Sequence, residues 1–292
     1  MNETTTLPGT RAVVTGAASG IGRAITAELV ARGARVLMAD VNEALLAEAT
    51  AELGGDVLWQ RCDVSDHAAV EALAERARAE MGGADLVFAN AGVIVSGPLL
   101  KTSPAEVDWI LGVNVRGVWS TLSVFGSMMA GQSTGGRLCA TGSEHSLGFQ
   151  HAGAGIYTAS KHAVLGMADV LRAELPANVT ISVLCPGLVA SGLGRGHRPD
   201  GIAPPGGNPD FTAAMQARAM AAEPVAKHAV DGTLKGEFLI VTHPHAVKAA
   251  QRRHAEVEAA FAAQAPYTED SERYNVQRVL AEVSAELKGA RA

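Results

Sequence analysis

Two side chains able to exchange a proton stand four residues apart in "YTASK", Tyr157 to Lys161. On a helix that spacing puts both on one face, where the ammonium group of Lys161 favours the ionised form of the phenol. A free tyrosine ionises near pH ~10, too high for an efficient base at neutrality, so a neighbouring cation moves it in the useful direction. The plain alternative is an ordinary exposed i, i+4 pair. Sixteen positions before Tyr157 begins "TGSEHS", Thr141 to Ser146, which sets a serine, a glutamate and a histidine side by side. These are the residue types of a hydrolase. A hydrolytic relay needs the histidine to reach the serine hydroxyl while a third group orients the ring, and consecutive residues diverge. Ser143 itself, in TGSEH, is also not the serine of a GxSxG elbow. Hydrolysis is therefore a poor reading of Ser143, Glu144 and His145. Glu144 and His145 either line a substrate pocket and recognise a polar group, or turn to solvent.

A second constellation lies in "VVTGAASGIGRAI". Gly16, Gly20 and Gly22 allow a tight turn and close backbone approach between a strand and a helix. A pyrophosphate can then lie on the helix amino end, where free N–H groups and the dipole favour negative charge. The next apolar run ends in Asp40, near the expected distance for an acid that binds an adenosine ribose. A carboxylate there accepts from a 2′-hydroxyl and repels a 2′-phosphate, while Ser19 and Val41 occupy the positions that could supply a compensating cation. NAD is favoured over NADP.

The elements that must position these residues are legible as alternating runs. "RAVVTG", "ARVLMAD", "DVLWQRCDV", "ADLVFANAG", "GRLCATGS", "VTISVLCPG" and "EFLIVTH" read as strands, separated by helical periodicity. Ser103, Pro104 and Glu106 form a helix start signal, as N-cap, first-turn proline and capping-box acid. Apolar strands separated by helices predict an α/β fold: one doubly wound domain over residues 1–292, with a seven-stranded parallel sheet and helices on both faces. Ligands in such sheets bind at the carboxyl ends of the strands. A Gly- and Pro-rich segment after the sixth strand predicts a substrate lid over residues 190–222, carrying Leu193, Ile202, Phe211 and Met215. A helical extension over 264–292, with Val276, Val279, Leu280, Val283 and Leu287 at helical spacing, packs on its own domain or on a second subunit.

The TGxxxGxG spacing resembles that of the short-chain dehydrogenase/reductase family, of the Rossmann type, from about Arg11 to Gly187. Its motifs recur in order: "TGAASGIG", "CDV" at Cys62 to Val64, "NAG" at Asn90 to Gly92, Asn114 in "NVRG", Ser143, "YTASK", and "PG" at Pro186 and Gly187. The resemblance implies a catalytic set of Asn114, Ser143, Tyr157 and Lys161. Ser143 would polarise the substrate oxygen, Asn114 would hold a water that links Lys161 to solvent, and Lys161 would also bind the nicotinamide ribose. It implies NAD contacts from Ser19, Ile21, Asp63, Val64, Asn90, Ala91, Gly92, Pro186, Gly187, Val189 and Ser191, beside the glycines and Asp40. The implied reaction interconverts a secondary alcohol and a ketone. An NADPH-linked reductase and a non-catalytic dinucleotide sensor are the alternatives. "KTSPAEVDWILGVNV" and "EFLIVTHP" are similar to bacterial enzymes acting on bulky or benzylic secondary alcohols, including Cα-dehydrogenases of lignin-derived aryl ethers. With Glu144, His145, Phe149 and Leu193 as pocket residues, a bulky, apolar or aryl substrate is expected. Family members are usually dimers or tetramers, so a homodimer or homotetramer is expected.

Composition narrows the remaining classes. A net charge of -6 gives no electrostatic footprint for nucleic acid or an anionic membrane, and no apolar run reaches a membrane span. The start lacks the features of a signal peptide, so a cytoplasmic location is expected. Cys62, Cys139 and Cys185 lie in or beside apolar runs, without zinc or disulfide spacing, and read as buried small hydrophobes. His151, His197, His243 and His245 lack a ligand cluster, so no catalytic metal is expected and they read as solvated or structural.

Overall fold

The computed structural model describes residues 5–193, 198–202 and 209–289. His197 and the lid stretches 194–197 and 203–208 lie outside the described residues. The seven apolar runs form strands β1 (Arg11–Thr15), β2 (Arg35–Asp40), β3 (Val57–Arg61), β4 (Leu86–Ala89), β5 (Gly136–Thr141), β6 (Val179–Cys185) and β7 (Leu239–Val241). They pair in parallel in the order β3-β2-β1-β4-β5-β6-β7. Parallel neighbours need crossovers, which helices α1 (Gly20–Ala31), α2 (Glu43–Leu53), α3 (His67–Arg76), α4 (Pro104–Leu111), α5 (Val118–Ala130) and α6 (Gly155–Glu174) supply. After β6 come α7 (Pro209–Gln216) and α8 (Ala222–Lys235).

Because both sheet faces are covered, the strands are apolar at nearly every position. One face packs Ile25, Leu29, Val225 and Val230 against Val14, Met38 and Leu184. The other packs Leu73, Phe125 and Val164 against Val13, Val87 and Val183. Each such fully buried side chain contributes roughly 1.5–3 kcal/mol relative to exposure. Cys62, Cys139 and Cys185 are buried members of these layers.

Strand order reverses between β1 and β4, which opens a crevice at their carboxyl ends. Helix α4 starts as its sequence predicts: Ser103 Oγ accepts from the Glu106 N–H while Glu106 Oε2 accepts from the Ser103 N–H at 2.8 Å. The following turn, Gly112–Gly117, is π-helical, and Gly117 there approaches Val64 so closely that a Cβ would stand 2.6 Å from its Cγ2.

The chain divides into two compact units, Met1–Ala246 and Val247–Ala292. The second holds α9 (Val247–Gln264), a 3-10 turn (Glu269–Tyr274) and α10 (Val276–Gly289), so its helical structure starts before residue 264. Val276, Val279, Leu280, Val283 and Leu287 on α10 are exposed. No described helix is long and apolar enough to cross a membrane.

Candidate active site

A cavity of about 1480 Å³ runs along the carboxyl ends of the strands, from Gly16 and Asp40 to Tyr157 and His245. That exceeds the range of about 300–1,000 Å³ usual for one small ligand, leaving room for a cofactor and a substrate together. At one end is the β1–α1 turn. Added Cβ atoms would stand 2.1 Å from the Gly16 carbonyl oxygen at Gly22, 2.7 Å from Ala91 Cα at Gly16, and 2.8 Å from Ser191 Cβ at Gly20. Gly16 and Gly20 also have positive φ, so the turn has its shape because these positions lack side chains. Ser19 caps α1 without a side-chain hydrogen bond, so its hydroxyl does not engage the first-turn N–H groups.

Asp40, ending β2, accepts from the Ala18 N–H through Oδ2 (3.1 Å) and from the Asn42 N–H through Oδ1 (3.0 Å). A carboxylate has about four acceptor positions, so it is oriented by the loop while retaining capacity for a diol. Asp63 is similarly held, accepting from the Ser65 N–H at 2.9 Å, and with Val64 it lines the cavity. Asn90 ties the strand ends together. Its Nδ2 donates to the Thr15 carbonyl oxygen (3.2 Å), its Oδ1 accepts from Thr141 Oγ1 (3.1 Å), and Thr15 Oγ1 accepts from the Asn90 and Ala91 N–H groups. Ile21, Gly92, Pro186, Gly187, Val189 and Ser191 line the same cavity. The cradle of absent side chains, the free helix end and the pre-oriented carboxylate fit a dinucleotide.

At the other end Ser143, Tyr157 and Lys161 meet, all buried. Lys161 Nζ donates to the Thr141 carbonyl oxygen at 2.8 Å and lies 5.7 Å from the Tyr157 ring centre. Its carbonyl oxygen accepts from Ser146 Oγ at 2.7 Å, which links α6 to the turn after β5. The phenol is raised, not lowered as its pairing with Lys161 predicts. Burial pushes Tyr157 up to about 12, opposed by a hydrogen bond with Ser143 and aided by the charge of Glu144. Burial likewise pushes Lys161 down to about 8. Desolvation outweighs the pairing because both groups are enclosed.

Asn114, in the π-helical turn, is fully buried. It accepts from the Val93 N–H (2.8 Å) and donates to the Val93 carbonyl oxygen (2.9 Å) and Ser160 Oγ (3.0 Å). Both its N–H donors are thus committed to holding the loop after β4 against α6, beside Lys161.

Glu144 and His145 diverge from their shared 3-10 turn. His145 Nδ1 lies 2.7 Å from Thr158 Oγ1, and its ring packs edge-on against Phe149 and Tyr157. Burial pushes it down to about 4, so it is neutral near pH 7. Glu144 turns the other way, toward Gly187, His243 and His245. Leu193 packs on the cluster of Val95, Ile110, Ala154 and Tyr157, and Ile202 is buried.

The sequence reading missed the part played by His243 and His245. His243 is buried and clamps the turn after β6: its Nδ1 accepts from the Gly187 N–H (3.0 Å) and its Nε2 lies 3.2 Å from the Leu188 carbonyl oxygen. The signal available was position alone, because residues just past β7 fall at the ligand-binding edge of such a sheet. Among the described residues, no group of three or more His, Cys, Asp and Glu side chains could hold a metal ion.

A family model described as short chain dehydrogenase matches residues 10–200. The chain is 41% identical over 193 residues to 1-deoxy-11-beta-hydroxypentalenate dehydrogenase of Streptomyces avermitilis, covering 63% of this chain and 70% of that one. It is 37% identical over 185 residues to a Mycobacterium tuberculosis protein named "Probable oxidoreductase EphD", covering 62% of this chain and 31% of EphD. It therefore spans about a third of EphD's length. Among solved structures, a short chain dehydrogenase/reductase from Burkholderia phymatum in complex with NAD superposes with a TM-score of 0.80 at 33% identity. The match covers 88% of this chain and 96% of that one.

Proposed function

The chain belongs to the short-chain dehydrogenase family, and from that premise we propose that it is an NAD-dependent oxidoreductase interconverting a secondary alcohol and its ketone, with Tyr157 as general acid and base. The observation that carries this reading is the meeting of Ser143, Tyr157 and Lys161 at one end of a cavity whose other end is the glycine turn and Asp40. Gly16, Ser19, Gly20, Ile21 and Gly22 would hold the pyrophosphate, Asp40 the adenosine ribose, and Val189 and Ser191 the carboxamide. When bound, the nicotinamide ring takes up or returns hydride at the substrate carbon.

The chain's own residues do the remaining work. Tyr157 removes the hydroxyl proton during oxidation and returns it during reduction. Ser143 donates to the substrate oxygen where charge develops. Lys161 supplies positive charge that favours the phenolate, and Asn114 positions the Val93 loop and Ser160 around it. Val93, Phe149 and Leu193 line the cavity with apolar surface, which supports a bulky, apolar or aryl substrate. We further propose a cytoplasmic homodimer or homotetramer, checked by sedimentation of the purified chain.

The test follows reduced-cofactor absorbance with a panel of aryl and aliphatic secondary alcohols, in parallel NAD and NADP series. Turnover with NAD supports the proposal. Turnover with NADP alone overturns the reading of Asp40, and NAD binding without turnover points to a sensor. Tyr157→Phe is expected to lower kcat by about a thousandfold, within the range for loss of a general acid or base, while NADH still binds.

A further inference from the structure

Glu144 brings a carboxylate to the reacting end of the cavity. Its side chain is only 9% exposed. The Glu144 N–H donates to the Pro186 carbonyl oxygen at 2.9 Å, which places the residue against the turn after β6. A Cβ on Gly187 would stand 3.0 Å from Glu144 Oε2 and 2.8 Å from the His243 ring, so the carboxylate and the imidazole both close on the same face of Gly187. His245, whose side chain is 60% exposed, brings Nε2 to 2.9 Å from Oε2. Even so, Oε2 has no hydrogen bond of good geometry among the described residues. Because Oε2 is closed in by Gly187 and the two imidazoles, Glu144 is poorly placed to grip a substrate hydroxyl. What it delivers to the cavity is a weakly screened negative charge.

The place of the nicotinamide follows from the proposed dehydrogenase function, on which this inference rests. A dinucleotide with its pyrophosphate at Gly16–Gly22 and its ribose at Asp40 must bring its reactive ring to the substrate atom served by Tyr157 and Ser143. Glu144 is the neighbour of Ser143 in that same wall, and its charge is felt at the Tyr157 hydroxyl. The oxidised ring carries a positive charge and the reduced ring none. We propose that Glu144 sets the relative affinity of the site for oxidised over reduced cofactor, stabilising the cationic ring. The other groups around this wall are Lys161 from α6, His145 and Tyr157, and His243 and His245 beyond β7. Lys161 opposes Glu144, and its contribution cancels when variants of Glu144 are compared.

The test measures dissociation constants of the full chain for NADH, by nicotinamide fluorescence, and for NAD in its oxidised form, by competition. Glu144→Gln is expected to lower the ratio Kd(NADH)/Kd(NAD) about fivefold to tenfold, chiefly by weakening NAD, the size of one charge interaction in a partly screened interior. Glu144→Asp keeps the charge and is expected to keep the ratio. Should Glu144→Gln fail to fold, His245→Arg sets a permanent cation beside the carboxylate and is expected to lower the ratio as well. A ratio unmoved by these changes, or moved equally by Gln and Asp, overturns the inference while leaving the dehydrogenase reading intact. Failure of the wild-type chain to bind either cofactor form overturns both.

Discussion

Tyr157 and Lys161 are legible as a pair in the sequence, but their state in the folded chain is set by enclosure. Burial holds Lys161 at about 8, below its ordinary value of 10.5. Between those values the unfolded chain binds more protons at this position, so the contribution of Lys161 to stability rises as pH climbs from about 8 to 10.5. Below pH 8 both states are protonated and the buried cation carries its full cost, on the order of 3 kcal/mol. Lys161→Met removes this term. The stability difference between Lys161→Met and wild type, from urea unfolding at fixed pH, is expected to favour the variant most below pH 8 and to shrink toward pH 10.5. Tyr157 and Cys185, both pushed up to about 12 by burial, stay protonated in the native chain across this window with or without Lys161, so their titration drops out of that difference. A difference independent of pH would show that Lys161 keeps its ordinary proton affinity. Glu144 and His145 illustrate the converse: adjacent in sequence, one faces the turn after β6 and the other packs on Tyr157.

At the scale of elements, the start of α4 and the β1–α1 turn were both readable because each depends on residues a few positions apart. They should respond differently to substitution. Ser103→Ala removes one half of an exposed capping box and is expected to cost about 1 kcal/mol in denaturant unfolding without altering NADH binding. Gly22→Ala places a methyl group 2.1 Å from the Gly16 carbonyl oxygen, against backbone that cannot yield cheaply. A loss of about 1–3 kcal/mol is expected, together with loss of NADH binding measured by fluorescence. Normal binding by Gly22→Ala would remove the glycine turn from the cofactor site. The π-helical turn carrying Asn114 had no such local signature. It comes with the close approach of Gly117 to Val64, in the loop after β3 and far away in the chain.

Across the whole molecule, the two packed layers enclose all three thiols, and burial pushes Cys62 to about 12, Cys139 to about 11 and Cys185 to about 12. Since the thiolate is the reactive form, the native chain is expected to resist iodoacetamide at pH 8 and to take up three equivalents in denaturant, read by mass spectrometry. Labelling of the native chain would place a thiol at the surface. The sequence by itself determined the seven strands, the parallel α/β class and the glycine turn, and pointed to Asp40, Ser143, Tyr157 and Lys161, which line one cavity. These were legible because hydrophobic period, turn chemistry and motif spacing are local properties of a chain. Only the tertiary structure decided that β7 brings His243 and His245 beneath Gly187, that Asn114 holds Val93 and Ser160, and that desolvation outweighs the tyrosine–lysine pairing. Those outcomes depend on which strand ends become neighbours and how much water is removed between them, and neither quantity is written in the spacing of residues along the chain.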